Sequence, residues 1–373
     1  MCRRHTDHNF SADSHHIAAE LMSKSTINSA YWEDCQCAAV ILMSGQGRSS
    51  LPIEINAGRD SHAVTFSANG EHLLSGGRYP NIGVWRVRDS QVATIEAQNV
   101  LCLAVSKNGS WIAAGTYWGD VFVWDSETHE RVFEHKQGYR TIRAIDFSPD
   151  STRLIWASED ATATVWDVNT RKQVKTLCHE GPVIAAKFSP RGDCIATATQ
   201  YAVRVWNSNF DNVHIPIRVT PCYNNGLAWS NDHLYAVSGS NIKQLDPSTG
   251  STLSEWSIPG SSDHSCIALL EHGKFMAYST NRTLMFWDMS THAQLPSTEH
   301  HGNINSIALS PGDRLIAICG EDGRVVFKSL PRITVSTVPR WIMACLTLRS
   351  YFHTEFNHTV LSTSHPSGSR HSD

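Results

Sequence analysis

Apolar and polar positions alternate in short runs along the chain, and the pattern is clearest between residues 142 and 167. Three apolar runs occur there, Ile145 to Phe147, Leu154 to Ala157 and Val165 to Trp166, and polar turns separate them. The first turn contains Pro149, whose fixed φ favours a tight turn, and the second contains acids that hydrogen-bond their own backbone. This pattern predicts consecutive antiparallel strands.

Two series of landmark residues repeat the pattern along the chain. The first is an aromatic residue that closes an apolar run, replaced once by leucine; it occurs at Trp85, Trp124, Trp166, Trp206, Leu245, Trp287 and Phe327. The second is an apolar-serine pair, whose serines are Ser67, Ser106, Ser148, Ser189, Ser230 and Ser310. The intervals in the first series are 39, 42, 40, 39, 42 and 40 residues. Because both series share this period, the chain contains seven repeats.

Each repeat contains four predicted strands, and the third is mostly apolar on both faces, as in Val121 to Trp124. A strand of this kind must be covered on both sides. Four-stranded units that cover one another front and back are propeller blades, because radial repetition leaves only short strand edges. The sequence therefore predicts an all-β fold, a seven-bladed β-propeller of four-stranded antiparallel blades.

The propeller is expected over residues 51–338, between an N-terminal extension of residues 1–50 and a C-terminal tail of residues 339–373. The extension and the tail lack sustained periodicity and are expected to be largely disordered, apart from a run from Trp341 to Tyr351 that could form a helix. Two segments compete to supply the outer strand of the seventh blade, Leu51 to Asn56 and Ile333 to Val338. We favour the N-terminal segment.

Composition and charge restrict the classes of function. The formal net charge of -4 provides no general field for a phosphate backbone, so we expect no nucleic-acid partner. The ten cysteines are scattered without metal-ligand spacing, and we see no secretory signal, which together favour a reducing cytoplasmic or nuclear setting. The longest apolar runs are too short to span a bilayer, so no membrane association is expected.

The landmarks resemble those of the WD40-repeat family, and the best match is Phe147 to Asp167. The resemblance implies a hydrogen-bonded set within a blade, which in the third blade would consist of His135, Ser158, Asp160 and Trp166. Trp124, Trp206 and Trp287 are the corresponding structural tryptophans of other blades. Blades five and seven end in Leu245 and Phe327, so they are expected to depend on apolar packing alone.

No catalytic motif stands out. The sequence contains no GxSxG, HExxH, GxGxxG or P-loop pattern, and its paired histidines lie in polar segments. Leu245 to Trp256 resembles the repeated motif of quinoprotein alcohol dehydrogenase propellers, which gives an alternative function as a propeller oxidoreductase. The motif occurs only once, and a plain turn explains it better. We therefore expect no enzyme activity, no cofactor and no metal.

The resemblance also indicates which surface binds partners. In this family, the turns between second and third strands and the connections that enter each blade form one face, and that face binds peptides. Aromatic and arginine side chains in such loops are typical binding anchors. The candidate partner-binding residues are Arg78, Tyr79, Tyr117, Trp118, Tyr139, Arg140, Tyr201 and Tyr223. The sequence thus predicts a non-catalytic scaffold or adaptor with protein or peptide partners of unknown identity.

Overall fold

A computed structural model describes most of the central part of the chain. The described residues are 40–41, 54–57, 60–87, 91–136, 138–213, 216–218, 226–238, 241–258, 266–270, 273–291, 293–312 and 314–329. Four sequence-based expectations lie outside them: the binding role of Tyr223, the alternative closing segment at 333–338, the C-terminal tail and the N-terminal extension apart from residues 40–41. The described residues from 54 to 329 belong to one compact unit.

The strands form seven sheets, antiparallel apart from one short parallel pairing in the seventh, and each sheet is one blade. The first two blades contain Ser61–Phe66, His72–Gly77, Asn81–Arg86 and Gln91–Glu96, then Val100–Val105, Trp111–Thr116, Asp120–Asp125 and Arg131–Lys136. The third and fourth contain Ile142–Phe147, Arg153–Ser158, Thr162–Asp167 and Lys172–Cys178, then Val183–Phe188, Cys194–Thr199, Ala202–Asn207 and Ile217–Arg218. The fifth and sixth contain Leu227–Trp229, Leu234–Ser238, Asn241–Leu245 and Thr252–Ser257, then Ile267–Leu270, Phe275–Thr280, Thr283–Asp288 and Ala293–Glu299. The seventh contains Ile304–Leu309, Leu315–Gly320 and Arg324–Ser329.

The seven sheets form a closed ring. The first strand of each blade contacts the first strand of the next, and that of the seventh contacts that of the first. Glu54–Asn56 pairs antiparallel with Arg324–Ser329 and supplies an outer strand to the seventh blade. Val40–Ile41 pairs in parallel with the same strand. The fold is therefore the predicted seven-bladed propeller, and the N-terminal segment joins its last blade.

The third strand of each blade divides its side chains between two cores. In the second blade, Phe122 and Trp124 pack into the cluster shared with the first blade. Val121 and Val123 pack into the cluster shared with the third blade. Because successive side chains of a strand point to opposite faces, one apolar strand fills two inter-blade cores. This arrangement explains why the strand is apolar at consecutive positions.

Each landmark series marks a side chain that caps a turn. The landmark serine accepts a hydrogen bond from a backbone N–H at the far end of the turn between first and second strands, as from Arg153 to Ser148 at 2.9 Å. The acid or Asn after the aromatic accepts N–H groups in the turn between third and fourth strands, as from Thr170 to Asp167 at 2.7 Å. The same caps recur at Ser67, Ser106, Ser189, Ser230, Ser310, Asp125, Asn207, Asp246 and Asp288. The repeat visible in the sequence is thus a repeat of capped turns.

Hydrogen bonds of the kind expected in the third blade occur instead in the fourth, where they join a histidine, a threonine and a tryptophan without an acid. Trp206 Nε1 donates to Thr197 Oγ1 at 2.8 Å, and His179 Nε2 lies 2.8 Å from the same oxygen. His179 Nδ1 lies 3.1 Å from the Leu177 carbonyl oxygen. The chain is complete when Nδ1 carries the proton and Nε2 accepts from the threonine hydroxyl. Thr197 therefore bridges an indole and an imidazole.

The third blade replaces this set with packed rings, which corrects the expectation. The position equivalent to Thr197 is Trp156, because both lie two residues beyond the partner of the landmark tryptophan. The His135 ring lies 5.3 Å from that of Trp156 and 5.9 Å from that of Trp166. Ser158 and Asp160 serve the adjoining turn, where Ser158 Oγ accepts the Asp160 N–H at 3.2 Å.

The seventh blade contains only part of the set. His300 occupies the position of His179, and its Nδ1 lies 3.8 Å from Asp322 Oδ1. Cys319 occupies the position of Thr197, by its register two residues beyond Ala317. Among the described residues, His300 Nε2 is buried without a hydrogen-bond partner. Cys319 stands where the fourth blade has a threonine, and a thiol hydrogen-bonds only weakly. This replacement explains why His300 Nε2 lacks the partner that His179 Nε2 has.

We predict that Thr197→Val destabilises the protein by about 1–3 kcal/mol, because it leaves two buried ring nitrogens without a partner. Thr197→Ser keeps the hydroxyl and should recover most of the loss. Chemical denaturation of the three proteins measures the difference. A Val variant as stable as the wild type would contradict the bridging role.

We also predict a pH dependence that originates at His179. Burial lowers the pKa of its imidazole to about 4, from the ordinary 6.5. Between these values the unfolded chain binds a proton that the folded chain does not, so stability falls as the pH drops from about 6.5 to about 4. The melting temperature of His179→Gln should fall less between pH 7 and pH 5 than that of the wild type. The exposed His301→Gln is the control, and equal losses in wild type and His179→Gln would contradict the assignment.

Candidate protein-interaction face

The meander topology assigns the turns to two faces. Turns between first and second strands, and between third and fourth strands, lie on one face, which we call the capped face. Turns between second and third strands lie on the opposite face, together with the connections from one blade to the next. We call this second face the connecting face. All candidate partner-binding residues among the described residues lie on it.

Backbone hydrogen bonds join the two kinds of loop on the connecting face. In blades one, two, three and seven, the first residue of the second-to-third-strand turn donates its N–H to a carbonyl of the connection that enters the same blade. The bond is 2.9 Å from Tyr117 to Asn99 and 3.0 Å from Glu159 to Thr141. Equivalent bonds join Arg78 to Asp60 and Glu321 to Asn303. The loops of this face are therefore held by the blades and by each other.

Tyr117 and Trp118 form the most prominent aromatic pair on this face. Their rings meet edge to face, with centroids 5.2 Å apart and planes 88° apart. Both side chains are about half exposed. The buried Thr116 fixes the turn, because its Oγ1 accepts the Asp120 N–H at 3.0 Å. Two large rings are thus presented to solvent on a capped turn.

Gly119 brings this turn against the connection between blades two and three. Its φ is +89°, a conformation that side chains rarely adopt. A Cβ at this position would collide with the carbonyl oxygen of Gly138 and would lie 2.7 Å from that of Arg140. The absence of a side chain therefore places Tyr117 and Trp118 beside the segment that carries Tyr139 and Arg140.

Exposure separates the remaining candidates. Tyr139 is 92% exposed and Tyr201 is 60% exposed, and Arg140 also lies in solvent. Arg78 is exposed and lies 3.7 Å from Asp60. Tyr79 packs against the core between blades seven and one, and its hydroxyl lies 3.1 Å from Ser61 Oγ. Much of the Tyr79 ring is therefore engaged within the fold.

Charged side chains of the third and fourth blades pair across this face. Arg143 Nε donates to Glu159 Oε1 at 2.8 Å, and Arg204 Nη2 donates to Glu180 Oε1 at 2.7 Å. Asp160 Oδ1 accepts the Thr162 N–H at 2.9 Å. These contacts therefore engage Glu159, Asp160 and Glu180 with residues of blades three and four.

Sequence reasoning identified the exposed aromatics but missed Gly119. The signal was present, because a glycine directly after two aromatic residues in a turn indicates a positive φ or a close backbone approach. The sequence could not show which backbone segment approaches Gly119, since Gly138 lies 19 residues away. Asn99, which anchors the same turn, carried no sequence signal.

The segment that suggested an oxidoreductase forms an ordinary capped turn. Asp246 Oδ1 accepts the Ser248 N–H at 2.8 Å and its hydroxyl at 2.7 Å. These bonds lower the pKa of Asp246 to about 2. The turn precedes Thr252–Ser257, the outer strand of the fifth blade. Its geometry is the one found at Asp288 in the sixth blade.

No group of three or more His, Cys, Asp or Glu side chains in the described part of the chain could hold a metal ion. Within the same ranges, we find no helix with the length and apolarity that a bilayer-spanning segment requires.

Comparison with known proteins identifies the repeats. Four segments match the model of the WD40 family, described as WD domain, G-beta repeat: residues 89–125, 128–167, 171–207 and 293–327. The chain is therefore a seven-bladed propeller in which four segments match the WD40 repeat. Each matched segment begins near the outer strand of one blade and ends in the third strand of the next.

Curated relatives are similar to this chain in sequence, and a solved structure is similar to it in fold. The chain is 22% identical over 270 residues to the transcriptional corepressor LEUNIG_HOMOLOG of Arabidopsis thaliana, which covers 70% of this chain and 34% of that protein. It is 35% identical over 103 residues to eukaryotic translation initiation factor 3 subunit I of Kluyveromyces lactis, covering 27% of this chain and 30% of that protein. The chain thus spans about a third of the length of these relatives. The β-propeller domain of Cps50 (Swd1) from Myceliophteria thermophila has the same fold, with a TM-score of 0.65 at 17% identity over 73% of this chain and 96% of that one.

We predict that Gly119→Ala destabilises the protein by more than about 1 kcal/mol, because the new Cβ meets backbone at a positive φ. The control is Gly181→Ala on the same face, where an added Cβ meets no heavy atom within 4 Å. Thermal unfolding of both variants measures the effect. Equal melting temperatures would contradict the close packing of the two loops.

Proposed function

We propose that the chain is a non-catalytic scaffold that binds a protein or peptide partner on the connecting face, between blades two and four. The observation that carries the proposal is the concentration of exposed aromatics there. Of the seven exposed large hydrophobic side chains among the described residues, four lie on this part of one face: Tyr117, Trp118, Tyr139 and Tyr201. Tyrosine and tryptophan are the residue types that dominate binding energy at interfaces.

The rigidity of the loops supports the same proposal. A loop that is already ordered loses little conformational entropy when a partner docks, so more of the contact energy appears as affinity. The bonds from Tyr117 to Asn99 and from Asp120 to Thr116, together with the packing of Gly119, provide this order. We also propose that Arg78 and Tyr79 of the first blade extend the binding surface, along with Tyr223.

The relatives support a scaffold role without naming a partner. They include a transcriptional corepressor, a translation initiation factor subunit and a protein described as an mRNA export factor. Their names describe intracellular processes, and the described cysteines of this chain are free. We therefore propose a location in the cytoplasm or nucleus, where thiols remain reduced.

Affinity capture from native cells tests the binding face. The wild type is compared with the double variant Tyr117→Ala/Trp118→Ala and with Val174→Ala, an exposed residue on the outer strand of blade three. We expect the double variant to lose at least one protein that both other baits retain, because it removes the paired rings. Identical sets of captured proteins would contradict the proposed face.

A further inference from the structure

Arg140 lies among the aromatic side chains of the proposed binding surface. It follows Tyr139 in the connection between blades two and three, and Gly119 packs against its backbone next to the Tyr117–Trp118 pair. The Arg140 side chain is exposed. A partner that covers the rings on both sides must therefore also remove water from the guanidinium of Arg140.

Acids of the strands and turns around this connection pair with other groups or face a lysine on the neighbouring strand. Glu134 pairs with Lys136 at 3.1 Å, and Asp120 lies opposite Lys136 in the strand register. Glu159 is held by Arg143. Farther around the face, Glu180 is held by Arg204 and Asp160 accepts from the Thr162 backbone.

Arg140 differs from these groups because it forms no ion pair among the described residues. In the free protein, water satisfies its five N–H donors. A partner without a complementary charge would leave a cation buried and unpaired, which is strongly unfavourable. An opposing carboxylate removes this penalty and forms two parallel hydrogen bonds with the planar guanidinium.

We propose that the partner docks through a segment in which an Asp or Glu side chain lies next to apolar residues. The carboxylate pairs with Arg140, and the apolar side chains cover Tyr139 and the Tyr117–Trp118 pair. This inference rests on the proposed function, since it specifies the chemistry of the partner at the same face. Charge complementarity of this kind selects partners as well as strengthening binding.

A library of random twelve-residue peptides displayed on phage tests the inference with the full chain as bait. Peptides enriched on the wild type should carry Asp or Glu next to apolar residues. On Arg140→Glu these peptides should bind at least roughly tenfold more weakly, and basic peptides should replace them. Arg140→Lys should keep the preference for acids with weaker binding, because it keeps the charge and loses the planar fork. Lys175→Glu makes the same change of charge on the outer strand of blade three and should have no effect.

The outcomes distinguish the two proposals. If apolar peptides without an acid are enriched and Trp118→Ala abolishes their binding, the proposed binding face is supported and the proposal of an acidic partner is contradicted. If no peptide is enriched, or if Trp118→Ala changes nothing, both proposals fail. Synthetic versions of an enriched peptide with Glu, Gln or phosphoserine at the acidic position complete the test. Binding of the Gln version equal to that of Glu, or at least tenfold tighter binding of the phosphoserine version, would overturn the assignment of a carboxylate.

Discussion

The packing of each third strand between two neighbouring blades is the constraint on which the structure depends. Because Phe122 and Trp124 face one core while Val121 and Val123 face another, the second blade cannot bury its own apolar residues alone. Each blade needs a neighbour on both sides, and a ring satisfies that need without a terminal blade. The repetition in the sequence follows from this geometry. The packing of the blades in the ring also fixes the positions of the loops on both faces.

The repeats and their capping residues made the fold predictable from sequence. The landmark serines and acids hold turns on the capped face, so they recur wherever a blade needs the same turn. The hydrogen-bonded set was less predictable, because Ser158 and Trp156 are two residues apart and point to the same side of one strand. Only the pairing of Leu154 with Trp166 shows that Trp156 occupies the equivalent position. Register between strands, rather than residue type, decided the outcome.

The candidate site was predictable in part for a similar reason. Loop position and residue type identified Tyr117, Trp118, Tyr139 and Tyr201, and all four side chains are exposed. Residue type alone could not show that Tyr79 packs against a core, because that depends on the neighbouring blade. It also could not show that Arg143 holds Glu159 while Arg140 forms no ion pair within the part of the chain that the structure describes. Local patterns predict which side chains lie in loops, and three-dimensional contacts decide which of them remain available.

The short N-terminal strand at Glu54–Asn56 has a consequence for the time course of synthesis. Its partner residues Ile55 and Val325 are 270 positions apart in the chain. At a translation rate of about 5 to 20 residues per second, the segment waits roughly 15 to 50 seconds before the strand that it pairs with has been made. During that interval the first six blades can assemble from neighbouring segments, whereas the junction between the seventh and first blades cannot. Ring closure is therefore a late step of folding, because it waits for a strand that is made long after the segment with which it pairs.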